Sequence, residues 1–306
     1  GFLENDSQPL LDLSLMANEV GRVIFNRART AGRLNVEQIG AMYESQRLAS
    51  SGIEYVLTRR KGRQRLLLLD MDCTVTDAKF VVELARITGQ HEALNQLCSD
   101  PIFQNDDKRA QKDKIAQLFR FVHMQKFDEV ARQMTIRPGA IEFVNKMRRQ
   151  GFMVGVLSDS YYVAADIIRR RVFADFAMAH TIQFDGEVCN GQLNINPAFM
   201  SDSDGGFGFP GRFADEKNSK NSKNGKDKQK PMGCKSNVLR SFLADETSPP
   251  INLTWVVGAD PDDLELMQMA DRAFVLAPMS SKLKKIPGIT QVASFEQLVT
   301  QIPVEN

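Results

Sequence analysis

Leu66-Leu67-Leu68-Leu69-Asp70-Met71-Asp72-Cys73-Thr74-Val75 is the stretch that decides the fold. Four consecutive leucines stop at two acids. A continuous apolar run this short reads as a strand buried on both faces of a parallel sheet, because a buried helix continues for about ten residues or more. Asp70 and Asp72 then stand at the C-terminal end of that strand. In extended chain, residues two apart project to the same side, so both carboxylates are expected to face one ligand. Acids this close repel one another, and a divalent cation relieves the repulsion. Hard oxygen donors with positions left for water favour magnesium over zinc.

Outward from this strand the chain alternates between strand and helix. Pro138 and Gly151 bracket a helix through Ile141, Val144 and Met147, the former as a start signal and the latter as a stop. Phe152 to Leu157 reads as a second strand, ending in Ser158-Asp159-Ser160. A helix through Val163, Ile167 and Ile168 follows, with Arg169, Arg170 and Arg171 in its last turn, where cations suit the helix dipole. No aromatic residues interleave with that triplet, so it reads as a solvated terminus and not as a nucleic-acid patch. Asp185-Gly186 and Asn190-Gly191 are turn signals around short strands, which predicts a small β-hairpin.

Lys235 opens a helix through Val238, Leu239 and Phe242. Ile251 to Val257 is a strand that runs into the acidic loop Gly258-Ala259-Asp260-Pro261-Asp262-Asp263, and Leu264 to Ala270 is a helix. Ala273 to Leu276 and Phe295 to Ile302 complete the pattern as strand and helix. The predicted fold class is α/β: a doubly wound, mostly parallel, Rossmann-like sheet with ligands at the strand C-termini. Ser158, a hydroxyl donor at one strand end, and Lys235, a cation at a helix start, are then the natural phosphate-binding groups.

Residues 79–135 depart from the alternation. Val81, Leu84, Ala85 and Thr88, then Ile115, Leu118, Phe119 and Val122, form helical stripes separated by the polar stretch from Ser99 to Lys114. This predicts a helical cap inserted after the first core strand. Phe119, Phe121, His123 and Phe127 lie in it; their helical spacing favours core positions over a pocket lining, with His123 satisfied or exposed. Residues 1–60 read as a helical segment without chemistry, through Leu13, Met16, Val20 and Ile24. The core is assigned to 61–78 and 136–306. Within it, 201–233 is read as a flexible insertion, because Ala214 to Lys230 contains no Val, Ile, Leu or aromatic residue and cannot offset its ordering entropy.

Composition excludes several classes. The 306 residues suffice for one α/β core plus an accessory domain. A net charge of +1 gives no basis for nucleic-acid or acidic-membrane partners. No apolar stretch approaches the roughly 20 residues of a membrane span. Cys73, Cys98, Cys189 and Cys234 include no C-x-x-C pair, which suits free thiols in a reducing cytoplasm better than a disulfide framework or a zinc site. The chain starts at Gly1, not Met, so the sequence reads as trimmed or as part of something longer.

Asp70-Met71-Asp72-Cys73-Thr74-Val75, Glu83-Leu84-Ala85, Pro138-Gly139, Ser158, Lys235 and Ala273-Phe274-Val275-Leu276-Ala277-Pro278 occur in the order seen in the haloacid dehalogenase (HAD) superfamily. Over roughly residues 66 to 300 the chain resembles the phosphoserine phosphatase branch of that superfamily. The resemblance implies a magnesium-dependent phosphomonoesterase. Asp70 would be the nucleophile that forms an aspartyl-phosphate. Asp72 would protonate the leaving oxygen and then activate water. Ser158 and Lys235 would complete the catalytic set by cradling the phosphate, and Thr74 would orient the nucleophile strand. Lys79, Asp159 and Ser160 would border the substrate. Asp70, Asp72, Asp260 and Asp263 are the implied magnesium ligands.

Two departures from the family pattern bear on function. The family motif Gly-Asp-Gly-x-Asn-Asp stands here as Gly258-Ala259-Asp260-Pro261-Asp262-Asp263, so Ala259 takes the position of a metal-binding aspartate. Lys79 stands where phosphoserine phosphatases carry a glutamate for the substrate ammonium. Two like charges at about 4 Å cost about 1 to 4 kcal/mol at dielectrics of about 80 to 20. The expected substrate is therefore a small-molecule phosphate ester with a neutral or anionic leaving group, such as a sugar or glycosyl-glycerol phosphate. Phosphoserine phosphatase activity, and a catalytically impaired phosphate-ligand binding or regulatory domain, remain the alternatives. Membership of a larger bifunctional enzyme is a further expectation.

Overall fold

The computed structural model describes residues 52–200, 234–246, 248–278, 283 and 286–302. The helical preface assigned to 1–60 lies outside this range up to residue 51, as does the whole 201–233 insertion. A short helix α1 (Ile53–Thr58) leads into strand β1 (Arg65–Asp70). Of the basic run between them, Arg60 is fully buried against Asp245, at 2.9 Å.

Five helices follow β1 before the core resumes: α2 (Phe80–Thr88), α3 (His91–Ser99), α4 (Pro101–Asn105), α5 (Lys108–Leu118) and α6 (Met124–Gln133). The core continues with α7 (Ala140–Arg149), β2 (Phe152–Tyr161), α8 (Tyr162–Arg171), β3 (Phe176–Asp185) and β4 (Val188–Asn194). Beyond residue 233 come α9 (Lys235–Leu243), β5 (Leu253–Gly258), α10 (Leu264–Met269), β6 (Arg272–Leu276), β7 (Ile289–Val292) and α11 (Phe295–Gln301).

The sheet has seven strands in the order β4-β3-β2-β1-β5-β6-β7, parallel except for the antiparallel β3–β4 pair. β1 is central, and the leucine run is buried throughout, as the doubly wound reading requires. Its side chains divide by parity. Leu67 and Leu69 pack with Val144, Ile168 and Leu298 on one face, and Leu66 and Leu68 pack with Val238, Leu239 and Leu266 on the other. The chain runs outward from β1 through β2, β3 and β4, then returns to β5 on the other side of β1. The C-terminal end of β1 is thus the point where strand order reverses, the position at which such sheets bind ligands.

Several boundaries differ from expectation. β2 continues through Ser158, Asp159 and Ser160 to Tyr161, because its outer edge goes on pairing with β3 at Tyr161–His180 after pairing with β1 has ended at Leu157. The hairpin is real and turns at Asp185-Gly186, but Asn190-Gly191 lies within β4. Gly191 there has a φ of +81°, which places a kink in a strand where a turn was expected. The polar stretch from Ser99 to Lys114 is not a spacer: it holds α4 and most of α5, capped by the Asp100 and Asp107 side chains. Helix capping by short acidic side chains is what polar composition concealed. β7 was not expected: Thr290 and Gln291 interrupt its two apolar residues, and of its four only Val292 is buried.

Among the helices that follow β1, Phe80, Phe119 and Phe127 cluster around Tyr161 of β2, with ring centroids 6.1 to 6.5 Å apart, and Phe127 meets Phe184 of β3 at 5.1 Å. Phe119 and Phe127 are therefore core residues, as their spacing indicated. Phe121 is neither core nor pocket: it is 74% exposed with a φ of +71°, next to Arg120. His123 caps α6 and pairs at the surface with Glu187.

Gly155 sits mid-β2, beside Leu68 and Phe176. A Cβ there would lie 2.1 Å from Cζ of the buried Phe176 ring, which itself packs on Phe242. Gly155→Ala is expected to destabilise the fold by about 1 to 3 kcal/mol through overpacking, read as a lowered thermal midpoint.

Candidate active site

β1 ends at Asp70, and a tight turn over Met71–Val75 follows. Thr76 N–H donates to the Met71 carbonyl at 3.0 Å and closes the turn. Cys73 adopts φ +59°, a left-handed conformation rare for residues with a side chain and a local strain held by its surroundings. Arg137 donates to the Cys73 and Ala277 carbonyls and ties the turn to the end of β6. Asp70 and Asp72 both have extended backbone angles, φ −65° with ψ 146° and φ −74° with ψ 127°, and the chain turns at Cys73, after them.

Asp70 is 2% exposed. Its Oδ2 accepts from the Thr74 hydroxyl at 2.9 Å, and its Oδ1 from Lys235 Nζ at 2.6 Å. Lys235, first residue of α9, also donates to Asp263 Oδ1 at 2.7 Å. Two buried carboxylates thus share one buried ammonium. Burial, then repulsion from Asp263, pushes the Asp70 carboxyl well above its usual range despite Lys235. Burial likewise raises Asp263. For Lys235, burial alone would lower the ammonium, but Asp263 and then Asp70 override it and hold it well above the ordinary lysine value.

The Asp72 carboxylate accepts from the Phe80 backbone N–H at 2.8 Å and from the Ser158 hydroxyl at 3.2 Å. Burial raises it against those two bonds and the nearby lysines. Ser160 N–H donates to Ser158 Oγ at 3.0 Å, while the Ser160 hydroxyl is buried with no partner among the described residues. Asp159 takes no part in this arrangement directly. Its Oδ1 receives Lys112 of α5 at 2.5 Å, its Oδ2 lies 3.8 Å from Lys235, and these cations together with His180 hold its carboxyl far below the usual range even though burial alone would raise it.

In the loop after β5, Asp260 pairs with Lys79 at 2.9 Å and caps the turn at Asp262 N, Asp262 pairs with Lys108, and Asp263 Oδ2 accepts from Asp260 N–H. Burial would raise Asp260, but the Lys79 hydrogen bond holds it below its usual value. Ala259 is buried and offers no donor. Lysines 112 and 108 were not foreseen as neighbours of the site, nor was His180. They sit in helical or strand contexts with no motif, so only the tertiary contacts reveal them.

The charge around β1 fits a divalent cation. Among the described residues, Asp70, Asp72, Asp159, Asp260, Asp262 and Asp263 face the cations Lys79, Lys108, Lys112 and Lys235, an excess of two carboxylates over ammonium groups. The side-chain donors fit less fully: among the described residues no three His, Cys, Asp or Glu side chains converge to hold a metal. Main-chain carbonyl and water would have to complete the shell, which suits magnesium, an ion that keeps several waters.

No family model matches the sequence. Curated relatives do. The phosphoserine phosphatase of Methanocaldococcus jannaschii is 22% identical over 120 residues, covering 39% of this chain and 57% of that protein. That of Archaeoglobus fulgidus is 19% identical over 150 residues, covering 49% of this chain and 44% of that protein. The chain thus spans about half the length of these relatives. Among solved structures, a phospho-aspartyl intermediate analogue of phosphoserine phosphatase superposes with a TM-score of 0.57 at 16% identity, over 79% of this chain and 100% of that one. A HAD family hydrolase from Salmonella enterica serovar Typhi gives 0.60 at 16% identity, over 79% and 73%. The buried Asp70–Lys235–Asp263 cluster lies at the switch point of a fold shared with these proteins, and the chain is similar to HAD-superfamily phosphatases of the phosphoserine phosphatase branch.

Proposed function

We propose that this chain is a phosphomonoesterase that takes a phosphoryl group onto Asp70 and releases it to water. The observation that carries this reading is Asp70 itself: a buried carboxylate at the end of the central strand, held on one oxygen by Thr74 and on the other by Lys235. Lys235 and Ser158 are the groups that would neutralise and orient the phosphate oxygens. Asp72, raised by burial, is suited to carry a proton to the leaving oxygen and to take one from water afterwards. The Ser160 hydroxyl, buried without a partner among the described residues, supports its assignment to the substrate side. Magnesium, when bound, would supply positive charge against the phosphate and the excess carboxylates. Asp70, the Asp72 carbonyl and a carboxylate of the acidic loop, Asp260 or Asp263, are the candidates to hold it, and Lys79 and Lys235 are the cations it would compete with there.

The helices of 79–135 act in this reading as a cap that shields the reaction from water. Free Cys73, Cys98, Cys189 and Cys234 are in keeping with a reducing, cytoplasmic setting. No helix among the described residues is long and apolar enough to cross a membrane. The substrate is a small polar phosphate ester, with a sugar or glycosyl-glycerol phosphate preferred. Lys79 presents an ammonium where a substrate ammonium would need an acceptor, and it occupies Asp260, the carboxylate beside it. The similarity to phosphoserine phosphatases favours phosphoserine as the second reading.

Magnesium-dependent phosphate release from glycerol phosphate, glucose phosphate and phosphoserine tests both. We expect turnover of the first two above phosphoserine, and Lys79→Glu to move the ratio toward phosphoserine by about tenfold, the effect of about 1.4 kcal/mol of charge interaction. Release from none of them by the folded protein would overturn the proposal.

A further inference from the structure

Three lysines that follow β1 reach carboxylates of the core: Lys79 to Asp260, Lys108 to Asp262 and Lys112 to Asp159. The side chains of the first two are about half exposed, at 53% and 48%, whereas that of Lys112 is 15% exposed. Its Nζ lies 2.5 Å from Asp159 Oδ1 and 2.8 Å from Nε2 of His180. His180 is fully buried, accepts the Asn196 N–H on Nδ1 at 3.3 Å, and stands edge-on to Phe199 with centroids 4.9 Å apart, so the ring is a fixed wall behind the ammonium.

Asp159 therefore stands between two cations, one from α5 and one from α9. Its second oxygen is 3.8 Å from Lys235 Nζ, the same ammonium that holds Asp70 at 2.6 Å and Asp263 at 2.7 Å. Three carboxylates surround Lys235, and among the described residues only Asp159 has a second close cation. Without that cation, Asp159 would turn its full charge on Lys235 and draw it from Asp70. Lys112 rides on α5, so its presence at Asp159 reports that the helices after β1 are seated on the core.

We propose that Lys112 is a positioning residue: by neutralising Asp159 it leaves Lys235 on Asp70, so the phosphate-binding lysine is set only when α5 is docked. This rests on the phosphatase reading above. Lys112→Met keeps the length of the side chain and deletes its charge. It is expected to lower kcat/KM by tens-fold, about the loss for a group misplaced near the reacting atoms, with KM raised as well because Lys235 meets the phosphate. Lys112→Arg should recover part of that loss. The double variant Lys112→Met/Asp159→Asn should recover most of it, because no uncompensated carboxylate then competes for Lys235. A purely structural role predicts that stability falls and is rescued while turnover per folded molecule stays unchanged, so turnover is compared well below the melting temperature of every variant.

Calorimetric titration with inorganic phosphate gives a second readout that needs no turnover: weakened by Lys112→Met, restored in the double variant. Wild-type turnover with Lys112→Met within about twofold of it, or a double variant no better than the single, overturns the inference while leaving the phosphatase reading intact. Absence of wild-type turnover with phosphate affinities in the expected order overturns the activity and supports the inference. Absence of both turnover and phosphate binding overturns both.

Discussion

Asp70→Asn is expected to abolish phosphate release while raising the thermal stability of the metal-free protein. Asparagine is isosteric, so the Thr74 hydroxyl, which can donate or accept, and Lys235 keep their places. It carries no anionic oxygen to attack phosphorus, so phosphate release should fall by about a thousandfold or more. Stability moves the other way because Asp70 and Asp263 are both buried and share one ammonium. Burial and Asp263 raise the folded-state pKa of Asp70 above its unfolded value. The unfolded chain therefore loses this proton first, and stability is fully present below the unfolded carboxylate range and falls as pH rises above it. The gain in the variant should be largest at neutral pH in the presence of a chelator, and should vanish below about pH 4, where Asp70 is protonated in both states. Thermal melts across that pH range check it; a variant less stable than wild type at neutral pH would contradict the account of the charge cluster.

Lys235→Met should be the most damaging single change to the core. The lysine side chain is 5% exposed and is the hydrogen-bonded cation between Asp70 and Asp263. Without it two buried carboxylates face each other, and breaking a buried pair from one side costs about 3 to 5 kcal/mol. Activity is lost independently, since no cation remains beside the nucleophile. Adding Asp263→Asn should restore much of the stability and none of the turnover, because it removes one stranded charge without supplying another cation. Urea denaturation with parallel phosphate-release assays separates the two effects, and recovery of activity in the double variant would show that Lys235 serves packing alone.

Much of the site was legible because it lies at strand ends. Asp70, Ser158, Lys235 and the loop after β5 each follow or open an element whose apolar pattern is unambiguous, and parallel order alone carries them to one edge. What failed was local. The turn that follows Asp72 was not foreseen: Cys73 sits in the left-handed region, and residues with side chains give no composition signal for that conformation. The stretch from Ser99 to Lys114 was taken as a spacer, because helices held by Asp caps and surface charge show little apolar periodicity.

By itself, the sequence determined the central strand, its burial on two faces and the arrival of Asp70 at its end. Those follow from a four-leucine run and from short-range rules of pleat and periodicity. Only the tertiary structure decided which cation meets which carboxylate. Lys235 divides between Asp70 and Asp263, Lys79 goes to Asp260, and Lys112 reaches Asp159. Those partners lie 165, 28, 181 and 47 positions apart along the chain. Coulomb energy depends on distance and burial, not on sequence separation, so no pattern along the chain encodes these pairings until the sheet has closed and removed water from between them.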